Sequence, residues 1–376
     1  MEKYIPVSQP VLTDIESRYV NDAMQKGAIS GFYGEYIARF EESFAEYCGC
    51  KYGVSTTSGT TALHLAMLSL SIGPGDEILV STLTNMATFF AVLYQGARPI
   101  PIDIESDTWN IDPCLMEARI TPRTKAIVVV HLFGHPVDLG PVMDVAKKHG
   151  LRVIEDCAQA HGATYKGSKV GSIGDIGCFS FYANKIITTG EGGMITVNDQ
   201  ALAEKARSLK SLAFGLTNKF MHVDVGYNYR MTNVQAALGC AQMERIESII
   251  EMKRNLGKLY TEQLKDLPEL QLPVEKPYAR NVYWMYHIAL RGEHSRRRVE
   301  IMARLKEKGI ETREGFIPYN MQEFALRTGR VRLEECPVAN DYADRCFYLP
   351  SSPLLSRVEV DYVVEHLKGV LSGRVR

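Results

Sequence analysis

Residues 179–194 read FSFYANKIITTGEGGM, an apolar run that passes through a lysine into a glycine-rich turn. Gly177–Phe181 has the length and the aromatic content of a buried strand, and Gly193–Val197 begins another directly after the turn. Lys185 lies between the two. A lysine beside a buried strand loses solvation, which lowers the pKa of its amine and suits the amine to Schiff-base chemistry. The alternative is a solvated surface lysine, which most lysines are.

Upstream of this segment, short apolar runs alternate with helical patterns. Strands are predicted at Glu77–Val80, Ala126–Leu132 and Leu151–Glu155, and helices at Ala62–Ser71 and Pro141–His149. Strands that alternate with helices are typical of a parallel sheet. The pattern therefore predicts an α/β protein whose mostly parallel sheet is covered by helices on both faces.

A long helical pattern follows, from Asn233 to Leu267. It exceeds the length of a usual globular helix, so we expect it to break or to bridge two domains. Residues 267–280 hold three prolines and look like the turn into a second domain, in which Val282–Leu290 is a predicted strand. We predict a large domain over residues 1–250 and a small C-terminal domain over residues 251–376.

Composition excludes several classes of function. The 376 residues include 43 basic and 44 acidic ones, so no basic excess exists to bind nucleic acid or an anionic membrane surface. No apolar run approaches the roughly 20 residues of a membrane helix. The eight cysteines form no C-x-x-C pair and indicate free thiols in a reducing cytoplasm. His131 and His135 are four residues apart, but a glycine and a proline beside them oppose a helix, so no metal site is expected.

The run TTSGTTA at residues 56–62 follows a short β-like segment and opens a predicted helix. Gly59, Thr60 and Thr61 would place free backbone N–H groups and hydroxyl groups at the positive end of that helix, which is what a phosphate needs. The same residues are also common as plain helix caps. The run alone fits both interpretations.

Two further segments carry polar groups at the ends of predicted elements. LRVIEDCAQ, residues 151–159, ends a buried strand in Glu155 and Asp156, at the edge of an α/β sheet where ligands bind. A carboxylate there could fix a protonated ring nitrogen, although an ion pair or a helix cap fits the pattern too. The turn GYNYRMTNVQ before the long helix holds Asn228 and Arg230, and arginine suits a carboxylate or phosphate partner. A turn that packs two domains is the other interpretation.

Together these segments resemble the DegT/DnrJ/EryC1/StrS family of sugar aminotransferases, which use pyridoxal 5′-phosphate (PLP). The resemblance extends from about Ile5 to the terminal helix. It implies the PLP-dependent transferase fold type I, which is aspartate aminotransferase-like, with a mixed, mostly parallel seven-stranded sheet in the large domain and a small α+β C-terminal domain. It also implies a homodimer with shared active sites. The runs NKIITTGEGGMIT and GYNYRMTNVQAALGCAQ look most like the members that aminate a GDP-linked 4-keto-6-deoxy sugar.

The resemblance assigns roles to individual residues. Lys185 matches the family's Schiff-base lysine, and Asp156 matches the aspartate on the pyridine nitrogen. Gln159 matches the group near the PLP hydroxyl. Asn228 matches the phosphate contact that the partner subunit donates. The other implied cofactor contacts are Gly59, Thr60, Thr61 and Ser180.

Two positions depart from the family's usual pattern. Asn85, in STLTNMAT, stands where relatives place an aromatic ring over the cofactor, and an asparagine can cover the ring edge but cannot stack. Asn320, in TREGFIPYNMQ, stands where many relatives have a histidine next to the sugar. Ser30 matches a loop that lines the sugar pocket. We therefore expect substrate contacts at Ser30, Arg230 and Asn320.

The implied reaction moves an amino group from L-glutamate to a nucleotide-linked keto sugar, with GDP-4-keto-6-deoxymannose as the expected acceptor and O-antigen or another glycan as the destination. A dTDP- or UDP-linked keto sugar is the main alternative. A sugar dehydratase of the same family would have histidine at position 185, and a non-catalytic regulator should have lost Lys185 or Asp156. Gly190, Gly192 and Gly193 do not have the G-x-G-x-x-G spacing of a nicotinamide enzyme.

Overall fold

The computed structural model describes residues 4–215 and 217–373. Its strands are β1 (Tyr52–Thr56), β2 (Glu77–Ser81), β3 (Arg98–Ile102), β4 (Thr124–Val130), β5 (Arg152–Asp156), β6 (Thr164–Tyr165), β7 (Ser168–Lys169), β8 (Ile176–Ser180), β9 (Gly193–Val197), β10 (Leu270–Gln271), β11 (Ala279–Arg280), β12 (His287–Leu290), β13 (Arg313–Glu314) and β14 (Cys346–Tyr348). Its α-helices are α1 (Asp14–Gln25), α2 (Tyr36–Cys48), α3 (Gly59–Ser69), α4 (Met86–Tyr94), α5 (Leu139–His149), α6 (Gln200–Lys210), α7 (Asn233–Met243), α8 (Ile246–Leu264), α9 (Arg298–Glu307), α10 (Glu323–Arg327), α11 (Pro337–Arg345) and α12 (Arg357–Leu371).

A seven-stranded sheet in the order β1-β9-β8-β5-β4-β2-β3 occupies the N-terminal part of the chain. β9 is antiparallel to its neighbours β1 and β8, whereas the other neighbouring strands are parallel. Six of the seven strands therefore point the same way, which confirms the predicted mixed, mostly parallel sheet. The five strands predicted in this region lie within two residues of their predicted bounds.

Helices cover both faces of this sheet because its strands are apolar on both sides. In β4, Val128 packs in one cluster with α3, α4 and α6, while Ile127 and Val129 face the other side and pack with α5. α2 covers the rest of that second side through Phe40 and Phe44. The carboxyl edge of the sheet is thus left as the place where its loops can form a site.

Two helix boundaries differ from the sequence pattern for local reasons. α3 begins at Gly59, before the predicted start, because Ser58 caps it: Oγ of Ser58 accepts a hydrogen bond of 3.2 Å from the N–H of Thr61, and Oγ1 of Thr61 accepts one of 2.9 Å from the N–H of Ser58. The long pattern breaks between α7 and α8. Arg245, at φ −126° and ψ 7°, is not helical.

The C-terminal part has an α+β arrangement of its own. A four-stranded antiparallel sheet in the order β10-β12-β14-β13 packs with α9, α12 and the second half of α8 in one apolar cluster. The predicted domain boundary at residue 250 falls inside α8. Ile249 and Ile250 pack with the large cluster, whereas Leu256 and Tyr260 pack with the C-terminal one. α8 therefore bridges the two parts, and the division at residue 250 stays a prediction.

Within residues 4–215 and 217–373, no helix is both long enough and apolar enough to cross a membrane. All eight cysteines are free, and six of them are buried.

Candidate active site

A cleft of about 220 Å³ opens at the carboxyl edge of the central sheet. β1, β2, β5 and β8 run in the same direction, so the segments that follow them meet at this edge. The cleft brings together seven of the predicted site residues, namely Gly59, Thr60, Asn85, Asp156, Gln159, Ser180 and Lys185.

Asp156 ends β5 and lines the cleft with a nearly inaccessible carboxyl group. Its Oδ2 accepts a hydrogen bond of 2.8 Å from Oγ1 of Thr88, and its Oδ1 accepts one of 3.1 Å from the backbone N–H of Ala158. Burial raises the pKa of the carboxyl group, and these hydrogen bonds and the charge of Lys185 lower it in part. The site therefore holds a carboxylate that would gain from a further positively charged partner.

Lys185 reaches the cleft from the turn after β8. Its backbone N–H donates a hydrogen bond of 2.9 Å to the carbonyl oxygen of Tyr182, and the next two residues, Ile186 and Ile187, are buried and anchor the turn. Burial lowers the pKa of the Lys185 amine to about 8, although the charge of Asp156 opposes this. A neutral amine is thus available near neutral pH, as a nucleophile or a general base requires.

Glu155 precedes Asp156 but faces away from the cleft. Its carboxylate accepts a hydrogen bond of 3.1 Å from Nε2 of His131 and three more from backbone N–H groups in residues 171–174. Nδ1 of His131 accepts from the N–H of Val137, so its Nε2 carries the proton. Burial alone would raise the pKa of Glu155, but these donors outweigh it and lower the pKa. Of the two carboxylates, only Asp156 is free to meet a ligand.

The N-terminus of α3 forms another wall of the cleft. The backbone N–H groups of Gly59 and Thr60 have no hydrogen-bond acceptor among the described residues. A Cβ atom at Gly59 would lie 2.6 Å from Cβ of Ser180, so only glycine lets α3 approach the end of β8 this closely. Free amides at the positive end of a helix, with a serine hydroxyl beside them, form a site for an anion such as phosphate.

Gln159 and Asn85 complete the set. Oε1 of Gln159 accepts a hydrogen bond of 2.7 Å from the N–H of Phe133, which leaves its amide nitrogen as the donor for a ligand. Asn85 is exposed and caps α4, because its Oδ1 accepts a hydrogen bond of 3.0 Å from the N–H of Ala87. The side chain of Asn85 therefore both caps α4 and lines the cleft.

The sequence profile of the DegT/DnrJ/EryC1/StrS aminotransferase family matches residues 10–368. The chain belongs to this family. A family member from Escherichia coli O157:H7, a GDP-perosamine synthase, is 41 % identical over 372 residues, which are 99 % of this chain and 100 % of that protein. A GDP-perosamine synthase of Caulobacter vibrioides is 42 % identical over 374 residues, 98 % of each chain. The PLP form of a candidate sugar aminotransferase from Streptococcus pneumoniae superposes with a TM-score of 0.94, at 27 % identity and over 100 % of both chains.

Membership of the DegT/DnrJ/EryC1/StrS family confirms the predicted fold and makes this protein a PLP-dependent sugar aminotransferase. The residues of the cleft suit that cofactor. The absence of a Cβ at Gly59 lets the free amides of α3 lie beside the hydroxyl of Ser180, where a phosphate could be held. Asp156 offers a buried carboxylate to a protonated ring nitrogen, and Lys185 offers an amine of lowered pKa to an aldehyde carbon.

Five predicted residues do not line this cleft, and four of them are Thr61, Ser30, Asn228 and Arg230. The hydroxyl of Thr61 is engaged by the capping box with Ser58. Ser30 and Asn228 are exposed. Arg230 is half-buried, and its guanidinium lies 4.3 Å from the centre of the Phe32 ring. The predicted roles of these four residues stay predictions.

Asn320 requires a correction. It is fully buried, its Oδ1 accepts a hydrogen bond of 2.8 Å from Oγ1 of Thr82, and its Nδ2 donates to the carbonyl oxygen of Leu333 and to Oδ1 of Asn340, each at 2.9 Å. Its amide thus joins three segments of the protein and has no exposed surface for a sugar. The side chain of Asn320 is a buried cross-link within this chain and not the substrate contact that was predicted.

The structure adds residues that the sequence did not single out. Thr88 holds the carboxylate of Asp156, and Tyr182 and Glu191 line the cleft beside Lys185. Trp284, from the C-terminal part, places its ring 4.1 Å from Nζ of Lys185. Thr88 could have been found from the sequence, since it lies in the same segment, STLTNMAT, as Asn85. Trp284 carried none.

Proposed function

We propose that this chain converts GDP-4-keto-6-deoxymannose to the 4-amino sugar, with L-glutamate as the amino donor, for O-antigen or another glycan. Identities of 41 % and 42 % to two GDP-perosamine synthases, over nearly the whole of each chain, support this substrate. The observation that carries the reaction class is the presence of Asp156 and the low-pKa amine of Lys185 in one cleft.

The residues of the cleft divide the work. When bound, PLP supplies an electron sink for the negative charge that develops at the carbon bearing the amino group. Asp156 holds a proton on the ring nitrogen. The amides of Gly59 and Thr60 bind the phosphate with the hydroxyl of Ser180. Nζ of Lys185 would take the proton from the α-carbon of the donor and return it to the cofactor carbon on the other side of the amino nitrogen, as a base whose pKa lies near the working pH can do.

The role of Lys185 is tested in the first half-reaction. Deuterium exchange at the α-carbon of L-glutamate is measured by NMR in D2O for the wild type and for Lys185→Ala supplied with PLP. Loss of exchange in the variant is expected. Exchange at the wild-type rate would show that another group moves the proton.

The substrate is tested with GDP-, dTDP- and UDP-linked keto sugars and L-glutamate, and the mass of the aminated product is recorded. We expect turnover of GDP-4-keto-6-deoxymannose at the highest kcat/KM. Turnover of only a dTDP- or UDP-linked sugar would reject the proposed substrate and keep the aminotransferase. Loss of water without gain of an amino group would instead indicate a dehydratase.

We further propose that the protein is a homodimer whose sites are shared, with Asn228 of one protomer serving the cleft of the other. Exposed apolar side chains near Asn228 support this, because such a patch is typical of a protein interface. They are Phe220, Met221, Val223 and Val225, between 67 % and 82 % exposed.

Complementation tests the sharing. Lys185→Ala and Asn228→Ala are purified separately, unfolded and refolded together. If the sites are shared, each heterodimer contains one intact site, and the mixture regains up to about a quarter of wild-type activity, because half of the dimers formed are mixed and each has one of two sites. No gain over the separate variants would exclude a shared site.

A further inference from the structure

We propose that Trp284, contributed by the C-terminal part of the chain, is the positioning residue of the catalytic lysine: its indole ring holds the ammonium form of Lys185 and its N–H fixes the turn that carries this residue. This inference rests on the catalytic role proposed for Lys185. It concerns a residue that lies 99 positions further along the chain.

The first contact is between the amine and the ring. Nζ of Lys185 lies 4.1 Å from the centre of the Trp284 ring, and Trp284 is only 4 % exposed. A cation within about 6 Å of an indole face is attracted by the negative charge of that face, and more strongly where water is excluded. The ring therefore favours the charged amine and restricts where the lysine chain can point.

The second contact is between the indole N–H and the backbone. Nε1 of Trp284 donates a hydrogen bond of 2.8 Å to the carbonyl oxygen of Asn184, the residue immediately before Lys185. One side chain thus contacts both the amine and the backbone of the same turn. An aromatic residue that only filled space would need neither contact.

The backbone of the segment that carries Trp284 is held by hydrogen bonds of its own. Lys253 on α8 is buried, and its Nζ donates one hydrogen bond of 2.7 Å to the carbonyl oxygen of Trp284 and another to that of Ser351. The N–H of Val282 donates to the carbonyl oxygen of Gly134, and a Cβ at Gly134 would lie 2.8 Å from Val282. The segment that carries Trp284 is therefore fixed to the large domain as well as to α8.

The segment that carries Trp284 also contacts Phe133, which holds Gln159, a second predicted cofactor contact. Phe133, beside Gly134, has its ring stacked with that of Trp284 at 6.4 Å between centres, and its N–H is the donor to Oε1 of Gln159. Phe133 has φ +53°, an unfavourable backbone conformation that only surrounding contacts maintain. One face of the C-terminal part thus supports both Lys185 and Gln159.

The protonation of Lys185 reports on this contact. Among the described residues, the charge of Asp156 and the imidazole of His161 act on its amine, and Tyr182 and Glu191 line the same cleft. His161 is buried, and burial lowers its pKa to about 3, so it stays neutral. None of these charges is at position 284, and burial is the main cause of the lowered pKa. Trp284→Phe and Trp284→Leu both lose the indole N–H and some buried volume, so the difference in the pKa of Lys185 between them reports the ring.

The first experiment measures that pKa in the full-length protein freed of cofactor, and again with pyridoxamine phosphate bound, which also leaves the amine free. The rate of reductive methylation of Lys185 is followed by mass spectrometry between pH 6 and 11 in the wild type, Trp284→Phe and Trp284→Leu. In Trp284→Leu the pKa is expected to fall by roughly 0.4 to 1.5 units, the size of a cation–π contact, because the site stays apolar while the ring is lost. Trp284→Phe, which keeps a ring, should show a smaller fall.

Trp109→Phe is the matched control. Trp109 is the other of the two tryptophans, is also buried, and has ring contacts with His287 and Tyr342. It should leave the pKa of Lys185 unchanged. A pKa in Trp284→Leu that equals that of the control, or that rises, would overturn the proposal.

A second measurement leaves Trp284 in place, so it does not depend on the stability of its variants. In Trp109→Phe the only tryptophan is Trp284, and its fluorescence should change with pH around a midpoint near 8 as Lys185 loses its proton. Adding Lys185→Met should remove that step, and a step that persists would reject the contact. Both measurements are made without turnover, so failure of the proposed reaction, seen as glutamate exchange that survives Lys185→Ala, is a separate result.

Discussion

Glu155 and Asp156 are consecutive residues of β5 that face opposite sides of the central sheet, and the pKa values of their carboxyl groups move in opposite directions. Both are buried, so the difference lies in their partners. Four donors surround Glu155, whereas Asp156 receives two hydrogen bonds and faces the cleft. One carboxylate is thus satisfied by the protein, and the other is kept for a ligand.

Asp156→Asn should make the cofactor-free protein more stable at pH 7 while abolishing activity. The folded-state pKa of Asp156 is raised, so the folded protein loses stability as pH rises from the unfolded value near 4 through the folded one, and asparagine removes that loss. Thermal unfolding of the two cofactor-free proteins at pH 7 and pH 4 measures this. The gain should vanish at pH 4, and a lower Tm for the variant at pH 7 would contradict the expectation.

Glu155→Gln should have the opposite effect on stability. The folded-state pKa of Glu155 is lowered, so its stabilisation is present above the unfolded value of about 4.3 and is lost as pH falls through the folded value. We expect a cost of about 1–3 kcal/mol at pH 7, since hydrogen bonds to a buried charge are lost. Urea unfolding measures this cost, which should shrink at acid pH. An equal cost at pH 7 and pH 3.5 would argue that packing, and not charge, is responsible.

Gly59→Ala should weaken cofactor binding and lower stability. The new Cβ would lie 2.6 Å from Cβ of Ser180, and α3 would have to move away from the end of β8. Overpacking of this kind costs about 1–3 kcal/mol. Gly73→Ala is the control, because a Cβ at that position would have nothing within 4 Å of it. Equilibrium dialysis with PLP and urea unfolding compare the two, and similar losses in both variants would rule out the steric explanation.

The rate of PLP capture by the cofactor-free protein should rise with pH and reach half its maximum near pH 8. Only the neutral amine of Lys185 can attack an aldehyde, and burial lowers its pKa to about 8. Stopped-flow absorbance in the near visible follows the capture, and Lys185→Met, which has no amine, should show no such signal. A midpoint near the ordinary lysine value of about 10.4 would mean that the amine is solvated before the cofactor enters.

Much of the large domain could be predicted from local pattern. The strand predicted at Gly193–Val197 is found with the same bounds, because a short apolar run that is buried throughout is typical of a strand in the middle of a sheet. The start of α3 was missed by three residues, since the capping by Ser58 is a detail of side-chain geometry. The strand predicted at Val282–Leu290 begins only at His287, because the residues before it turn to meet Gly134.

The parts of the site that escaped prediction are formed by contacts between distant residues. Asn320 is bonded to Thr82, 238 positions away, and no local pattern marks an amide as a buried cross-link. The contact of Trp284 with Lys185 is of the same kind. By contrast, Asp156 ends a strand, and Lys185 and Gly59 each come a few residues after one. The ends of these strands were predictable, and strand ends of a parallel sheet gather at one edge.

α8 also determines how the two parts of the molecule unfold. Its 19 residues form a single rod of about 28 Å, with one half in each apolar cluster. A fragment cut at residue 250 would end after the first turn and expose Leu256 and Tyr260 on whichever piece kept them. The two parts should therefore melt together, so that calorimetry records one cooperative transition for the intact chain.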